Sequence, residues 1–156
     1  MRHGHRDRIS GESDNGLSSK GYAQAQDSCN AIKLFLSNTS KEHIELHSSP
    51  KLRCQETIEP LAIALNASVI VNPLLHEMTY TESHNDMLER IREFLSDWKK
   101  SDIANLIACS HSDWIPIATD LLVGKHLSVN TGCFNVLQCR EPDGLVQVIR
   151  YHQPSI

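Results

Sequence analysis

The chain has 156 residues and a formal net charge of −4 at pH 7, with 40% hydrophobic and 22% charged residues. This size and balance predict one globular domain over residues 1–156, and they exclude a disordered chain and a general nucleic-acid binder, which needs a basic surface. No apolar run could cross a bilayer and no signal peptide is recognisable, so we expect a soluble cytoplasmic protein without membrane contact.

The N-terminal half predicts helices that alternate with short strands. Residues 9–18 are typical of a loop that ends by capping a helix at Ser18 or Ser19, and this helix runs to about Leu36. Residues 43–50 predict a short strand, followed by a helix that ends near Asn66, with Pro50 at its N-terminus. Residues 68–75 predict another short strand, and the apolar spacing from about Ser83 to Trp98 predicts a helix.

The C-terminal half continues the pattern and ends in a hairpin. Residues 104–113 are the clearest buried strand, and residues 114–123 predict a helix. Residues 132–139 and 145–152 predict two strands joined by a turn at 140–144. The alternation predicts an α/β fold, a three-layer α/β/α domain with a mostly parallel mixed sheet.

Histidine and arginine side chains lie in three segments that fit one position in an α/β sheet. These are 2–6, 47–57 and 109–113, and ligands of open α/β sheets bind beyond the carboxyl ends of the strands. Converged there, the segments would surround one small volume with Arg2, Arg6, Arg53, His3 and His111. Such a cluster suits a tetrahedral dianion such as a phosphoryl group, and a neutral imidazole within it could form a covalent intermediate.

Six stretches match the motifs of a known family in the correct order. RHGHR, LSSKGYAQA, SSPKLRCQET, LLHEM, CSHSD and NTGCF resemble those of the histidine phosphatase superfamily, also called phosphoglycerate mutase-like proteins, over nearly the whole chain. The resemblance implies the phosphoglycerate mutase-like fold and a metal-independent phosphatase without a cofactor. The short chain is most similar in size to bacterial phosphohistidine phosphatases.

The resemblance also implies roles for residues of the first two polar segments. His3 would be the nucleophile that becomes phosphorylated, and Gly4 would let the backbone approach closely. Arg2, Arg6 and Arg53 would hold the phosphoryl oxygens. His5 is expected at the rim; the alternative, that it forms half of a zinc site with His3, lacks further ligands with suitable spacing.

Two further roles follow from the resemblance. His111 would be the second histidine of the pocket and would donate to the phosphoryl group in the transition state. Glu77 would be the general acid that protonates the leaving group and later activates water, with Glu82 and Asp86 as rivals. Asp113 could orient His111 or cap the following helix, and we favour the cap.

The expected function is phosphoryl hydrolysis through a phosphohistidine on His3, with a phosphorylated protein or small molecule as the partner. A phosphohistidine protein phosphatase suits the compact chain, because such pockets are open to a side chain of another protein. One alternative is a phosphatase of small phosphoesters or a mutase-like phosphotransferase. Another is an inactive domain that binds phosphate or a partner protein.

The chain departs from the family pattern at its start. Members usually have a hydrophobic strand before Arg-His-Gly, in the middle of the sheet, whereas this sequence begins at Met1. We therefore expect the first strand to be absent from this chain and supplied by an earlier start, a partner chain or a rearranged sheet. Without it, neighbouring strands would expose unpaired backbone.

Overall fold

The elements of the fold alternate as the sequence predicts. A computed structural model describes residues 1–7, 14–38, 43–140 and 144–154. In chain order the described elements are helix α1 (Ser19–Ser37), strand β1 (Ile44–Ser48), helix α2 (Leu52–Leu65), strand β2 (Val69–Val71), a 3₁₀ turn (Pro73–Leu75), helix α3 (His84–Lys100), strand β3 (Asn105–Cys109), helix α4 (Trp114–Val123), and strands β4 (Phe134–Arg140) and β5 (Leu145–His152). The predicted helices and strands are confirmed, with ends shifted by one to a few residues. Much of the loop predicted over 9–18 and of the turn over 140–144 lies outside the described residues.

Short polar side chains fix several helix ends. Ser18 caps α1 by accepting a hydrogen bond from the amide of Gly21, as the sequence predicts. Ser83 and Asp86 form a reciprocal capping box at the start of α3. Asn66 ends α2 in the left-handed conformation, with φ of 51°. These local bonds explain why the helices begin and end close to the predicted residues.

The strands form a parallel ladder and an antiparallel hairpin. The order of the ladder is β2-β1-β3, with Leu46 opposite Val69 on one side and Ile107 on the other. β4 pairs with β5 over its whole length. The mixed, mostly parallel sheet is thus present as two pieces.

Residues 1–3 connect the two pieces of sheet. Arg2 forms a parallel bridge with Ser110 just after β3, and its amide donates to the carbonyl of Cys133 just before β4, at 3.0 Å. The sequence predicts a buried strand here. In the structure β3 is an edge strand of its three-stranded ladder, and only its last residue, Cys109, is buried, whereas the four residues before it are partly exposed.

Two apolar cores lie on opposite faces of the parallel ladder. Ile107 packs against the core formed mainly by α1 and α2, whereas Leu106 and Ala108 pack against the core formed mainly by α3 and α4. Because successive strand residues point to opposite faces, this alternation gives the predicted three layers. No helix within the described ranges is long and apolar enough to cross a membrane.

Candidate active site

The candidate site lies where the chain leaves β1 and β3 and where residues 1–3 join them. The ring centroids of His3 and His111 are 5.3 Å apart, and both side chains are buried. Arg53, in the first turn of α2, lies within 3.4 Å of the His111 ring. The structure therefore brings together three of the residues that the sequence predicts, from separate segments.

The backbone carbonyl of the next residue holds His3 in a single tautomer. Its Nδ1 lies 2.7 Å from the carbonyl oxygen of Gly4, which can only accept, so Nδ1 bears the proton and Nε2 keeps the lone pair. Burial, followed by the charges of Arg53 and Arg2, lowers the pKa of His3 to about 4. The ring is therefore neutral at pH 7, as a nucleophile must be.

Gly4 is the point at which the loop after His3 touches α1 and α2. Its amide donates to Thr57 Oγ1 at 2.9 Å, and the Thr57 hydroxyl donates to the carbonyl of Arg53. A Cβ at Gly4 would lie 2.7 Å from the carbonyl oxygen of Gly21. The backbone at Gly4 therefore approaches α1 closely, and its role beside a phosphoryl group stays a prediction.

Arg53 is a buried cation with donors to spare. Its side chain is 1% exposed, and Nη2 donates to Glu77 Oε2 at 2.6 Å. Nε and Nη1 are buried and have no hydrogen-bond partner in the described part of the chain, although Asp14 Oδ1 lies 3.9 Å from Nη1. Unsatisfied buried donors are rare in folded proteins, and these suit an incoming oxyanion.

His111 has different neighbours at its two ring nitrogens. Nε2 lies 2.8 Å from Ser49 Oγ and 3.5 Å from Cys54 Sγ. Nδ1 lies 3.4 Å from Arg53 Nη2 and 3.6 Å from Glu77 Oε2. Burial, followed by the charge of Arg53, lowers the pKa of His111 to about 2, so this ring is neutral as well.

Glu77 is a carboxylate in direct contact with Arg53 of the site. Besides Arg53, it lies 3.6 Å from Lys51 Nζ. Burial acts to raise the pKa of Glu77, but the hydrogen bond and charge of Arg53 outweigh burial and hold it below its ordinary value. Glu82 instead pairs with Arg90, and Asp86 belongs to the capping box of α3, so both rivals have structural partners elsewhere.

The segment that bears Glu77 is fixed from several sides. Ser110 Oγ donates to the carbonyl of Leu75 at 2.7 Å, and Trp114 Nε1 donates to the carbonyl of Leu74 at 2.8 Å. The amide of Met78 donates to Asp113 Oδ2 at 2.8 Å. Asp113 also caps α4, as predicted, by accepting from the Trp114 amide. Glu77 is thus positioned by bonds to its neighbours on both sides.

Arg2 and Arg6, the other two arginines that the sequence predicts at the site, make separate contacts. Arg2 Nη1 donates to the carbonyl of Val129 at 3.1 Å, and Arg2 Nε is buried without a hydrogen-bond partner among the residues that the structure describes. The backbone of Arg6 bridges that of Leu17. A phosphoryl-binding role for Arg6 stays a prediction.

The predicted rim residue, His5, is exposed. Its Nδ1 lies 2.8 Å from Ser18 Oγ. In the described part of the chain, no three His, Cys, Asp or Glu side chains are arranged to hold a metal ion.

Four contributors to the site were not predicted from the sequence. Thr57 comes one helical turn after Arg53, and this spacing could have placed both on the same face of α2. Ser49 and Lys51 lie in the recognised SSPKLRCQET stretch, which singled out only Arg53. Asp14 lies in a loop that gives no comparable signal.

Solved structures with the same fold include several phosphatases. A structure of the protein histidine phosphatase SixA complexed with tungstate has a TM-score of 0.76 and 19% identity, over 97% of this chain and 92% of that chain. A putative alpha-ribazole-5'-P phosphatase from Escherichia coli has a TM-score of 0.78 and 18% identity, over 96% and 92%. Phosphoserine phosphatase from Entamoeba histolytica, in complex with 3-phosphoglyceric acid, has a TM-score of 0.72 and 16% identity, over 99% and 95%.

At such identities these neighbours establish the fold, which is that of the phosphoglycerate mutase-like phosphatases. The family model "Histidine phosphatase superfamily (branch 1)" matches residues 1–83, which include His3, Arg53 and Glu77. The chain therefore belongs to the histidine phosphatase superfamily, as its motifs indicate. Comparison with curated proteins gave no match.

Proposed function

We propose that this protein is a phosphatase that removes phosphoryl groups from phosphohistidine in proteins, through a covalent intermediate on its own His3. One observation carries the proposal: His3 is buried, neutral and held with its Nδ1 proton on the Gly4 carbonyl, so that Nε2 presents a lone pair. A side chain with these properties is an activated nucleophile. The similarity to a SixA structure supports the phosphohistidine substrate.

The reaction would proceed in two displacements. Nε2 of His3 forms a bond to phosphorus while the P–N bond of the substrate breaks and the substrate imidazole leaves. Water then forms a bond to phosphorus, the P–N bond to His3 breaks, and phosphate leaves. Arg53 and Arg2, with Arg6, would hold the phosphoryl oxygens, and His111 would donate to them as charge develops.

The charge state of Glu77 favours phosphohistidine over a phosphoester. Arg53 keeps this carboxylate ionised, so in the free protein it is ready to accept a proton from water in the second displacement. An alkoxide leaving group would need a proton from Glu77 in the first displacement. An imidazole protonated on its other nitrogen leaves as a neutral ring and needs none.

A small-molecule phosphoester substrate is the second candidate. Fold neighbours include phosphatases named for alpha-ribazole-5'-phosphate and phosphoserine, and Glu77 is close enough to His111 to serve as an acid once protonated.

We also propose that the protein acts in the cytoplasm, which its five free cysteines support because disulfides are rare there.

Intact-mass detection of the intermediate tests the proposal. The protein is mixed with a phosphohistidine peptide or an aryl phosphate and quenched within one turnover. We expect one phosphoryl adduct on wild type and on His5→Ala, the matched control on the exposed neighbour, and none on His3→Ala. An adduct on His3→Ala would refute the role of His3.

The same experiment separates the alternatives. Faster turnover of phosphohistidine than of phosphoserine or phosphoglycerate supports the protein substrate, and the reverse supports a small phosphoester. Transfer of the phosphoryl group to a second hydroxyl compound would indicate a mutase. Phosphate binding without adduct or turnover would indicate an inactive binding domain.

A further inference from the structure

Lys51 is a partly buried lysine at a position where the fold does not favour a cation. It directly precedes the first turn of α2, and its side chain, which is 20% exposed, forms no cap there. The N-terminus of a helix carries partial positive charge, and lysine side chains are mostly exposed in proteins. The local structure gives no reason for a lysine here, and neither the motif comparison nor the proposed mechanism assigns it a role.

The ammonium group of Lys51 contacts the carboxylate of Glu77. Nζ lies 3.6 Å from Oε1, whereas the other carboxylate oxygen, Oε2, accepts from Arg53 Nη2 at 2.6 Å. The two cations thus act on different oxygens of one carboxylate. Burial alone would raise the pKa of Glu77, but Arg53, and Lys51 after it, hold this pKa below its ordinary value.

A bound phosphoryl group would change the balance between these two cations. Nε and Nη1 of Arg53 are buried and have no hydrogen-bond partner in the described part of the chain, so they suit the phosphoryl oxygens. The charge of Arg53 would then be shared between the phosphoryl group and Glu77. Lys51 would remain beside Oε1 and oppose the proton uptake that a neighbouring dianion favours.

Three other titratable groups lie near these contacts. His111 Nδ1 lies 3.6 Å from Glu77 Oε2, and this ring is neutral because burial lowers its pKa to about 2. His76 bonds through Nδ1 to the Glu77 carbonyl and adds charge only when it is protonated. Asp14 lies 3.9 Å from Arg53 Nη1 and draws on the same guanidinium. None of the three supplies Glu77 with a fixed positive charge.

We propose that Lys51 is a positioning residue that sets the preference of the pocket for the leaving group. Its ammonium group holds Glu77 as a carboxylate while a phosphoryl group occupies Arg53, and this disfavours phosphoesters. In an ester, the Glu77 proton must move to the alkoxide oxygen as the P–O bond breaks. A phosphohistidine ring protonated on its other nitrogen leaves as neutral imidazole when its P–N bond breaks, without that proton. The preference rests on the proposed function, but the effect of Lys51 on the titration of Glu77 does not.

Carbon-13 NMR of the carboxyl groups in the substrate-free protein tests the ion pair. The Glu77 signal, assigned by its loss in Glu77→Gln, should titrate with a midpoint at higher pH in Lys51→Met than in wild type, because a cation is removed. Lys51→Arg should keep a midpoint close to that of the wild type. Lys20→Met, the matched control, removes the same charge from an exposed lysine in the first turn of α1 and should leave the midpoint unchanged. No shift in Lys51→Met, or equal shifts in the two Met variants, would overturn the proposal.

The ratio of kcat/KM for phosphoserine to kcat/KM for a phosphohistidine peptide at pH 7 tests the preference. This constant covers only the steps up to the first displacement, so hydrolysis of the His3 intermediate, which both substrates share, does not enter it. Lys51→Met should raise the ratio by about two- to fivefold, the scale of one partly exposed ion pair, and should extend phosphoserine hydrolysis to higher pH. Lys51→Arg and Lys20→Met should change the ratio by less than about 1.5-fold.

An unchanged ratio in Lys51→Met would overturn the role in leaving-group preference. This includes an equal fall of both kcat/KM values, which would mean that Lys51 holds the phosphoryl group itself. Lys51→Gln is also neutral and should repeat the result of Lys51→Met, so an effect of packing by one side chain is recognised. Absence of adduct and turnover in the wild type would refute the proposed phosphatase and leave the NMR result standing, so the two failures are distinguishable.

Discussion

Lowering the pH from 7 to 5 should leave His3, the proposed nucleophile, largely neutral. Burial lowers the pKa of His3 to about 4, against an ordinary histidine value of about 6.5. At pH 5 about 90% of His3 would be neutral, compared with about 3% of an ordinary histidine. The environment of His3 therefore preserves about 30-fold more of the neutral imidazole at this pH.

Two measurements check this expectation. Proton NMR of the imidazole rings without substrate should give His3, assigned by its loss in His3→Asn, a midpoint near pH 4. Single-turnover phosphorylation of His3 by an aryl phosphate should continue at pH 5. A midpoint near 6.5 would refute the argument, because it would mean that burial and the two arginines do not act on this ring.

The same pKa difference links stability to pH. Between pH 4 and 6.5 the unfolded chain binds a proton at His3 that the folded protein excludes, so the free energy of unfolding falls as the pH falls through this window and is constant above it. The full difference amounts to about 3 kcal/mol. Urea unfolding gives the free energy of unfolding of wild type and of His3→Asn at each pH. The difference between these two free energies should narrow in acid by about this amount. A difference that does not change with pH would contradict the shifted pKa.

Three substitutions test the parts that surround His3. Arg53→Lys keeps the charge but loses the planar guanidinium that contacts Glu77, so single-turnover phosphorylation should slow by about 100-fold. A change below about threefold would argue against a specific role for the guanidinium. Gly4→Ala places a Cβ 2.7 Å from the carbonyl oxygen of Gly21 and should lower the free energy of unfolding by about 1–3 kcal/mol. Urea unfolding measures this loss. An unchanged urea midpoint would mean that α1 shifts without cost to accommodate the Cβ. Thr57→Val removes the buried acceptor of the Gly4 amide at a cost of about 1–3 kcal/mol, and Thr57→Ser should recover most of it.

Most of the fold could be predicted because its signals are local. Apolar spacing predicted α1 and α3, and the polar residues before α1 predicted the cap that Ser18 forms. The exposure of β3 could not be predicted in this way, because an apolar run such as that of Leu106 and Ile107 indicates a strand but not how many neighbours it has. Strand order depends on contacts between residues far apart in sequence.

The candidate site, like the fold, could be predicted only in part. Strand ends and the family resemblance together indicated that separate segments converge, and His3, Arg53 and His111 do lie together. The contact between His3 Nδ1 and the Gly4 carbonyl, which sets the tautomer of His3, depends on backbone geometry that no residue pattern encodes. Residue identity predicted the groups that could react, and three-dimensional contact determines which ring nitrogen does so.

The ion pair between Arg53 and Glu77 connects substrate choice to pH. A phosphoryl dianion that accepts from Nε and Nη1 of Arg53 brings negative charge next to the Glu77 carboxylate, which lies 2.6 Å from Nη2 of the same guanidinium. A neighbouring anion raises the pKa of Glu77, so phosphoryl binding favours proton uptake there. A phosphoester would gain its acid in this way mainly under acidic conditions. Phosphohistidine does not need the proton, so its hydrolysis can use the ionised Glu77 at neutral pH, which is the reason to expect a nitrogen leaving group for this pocket.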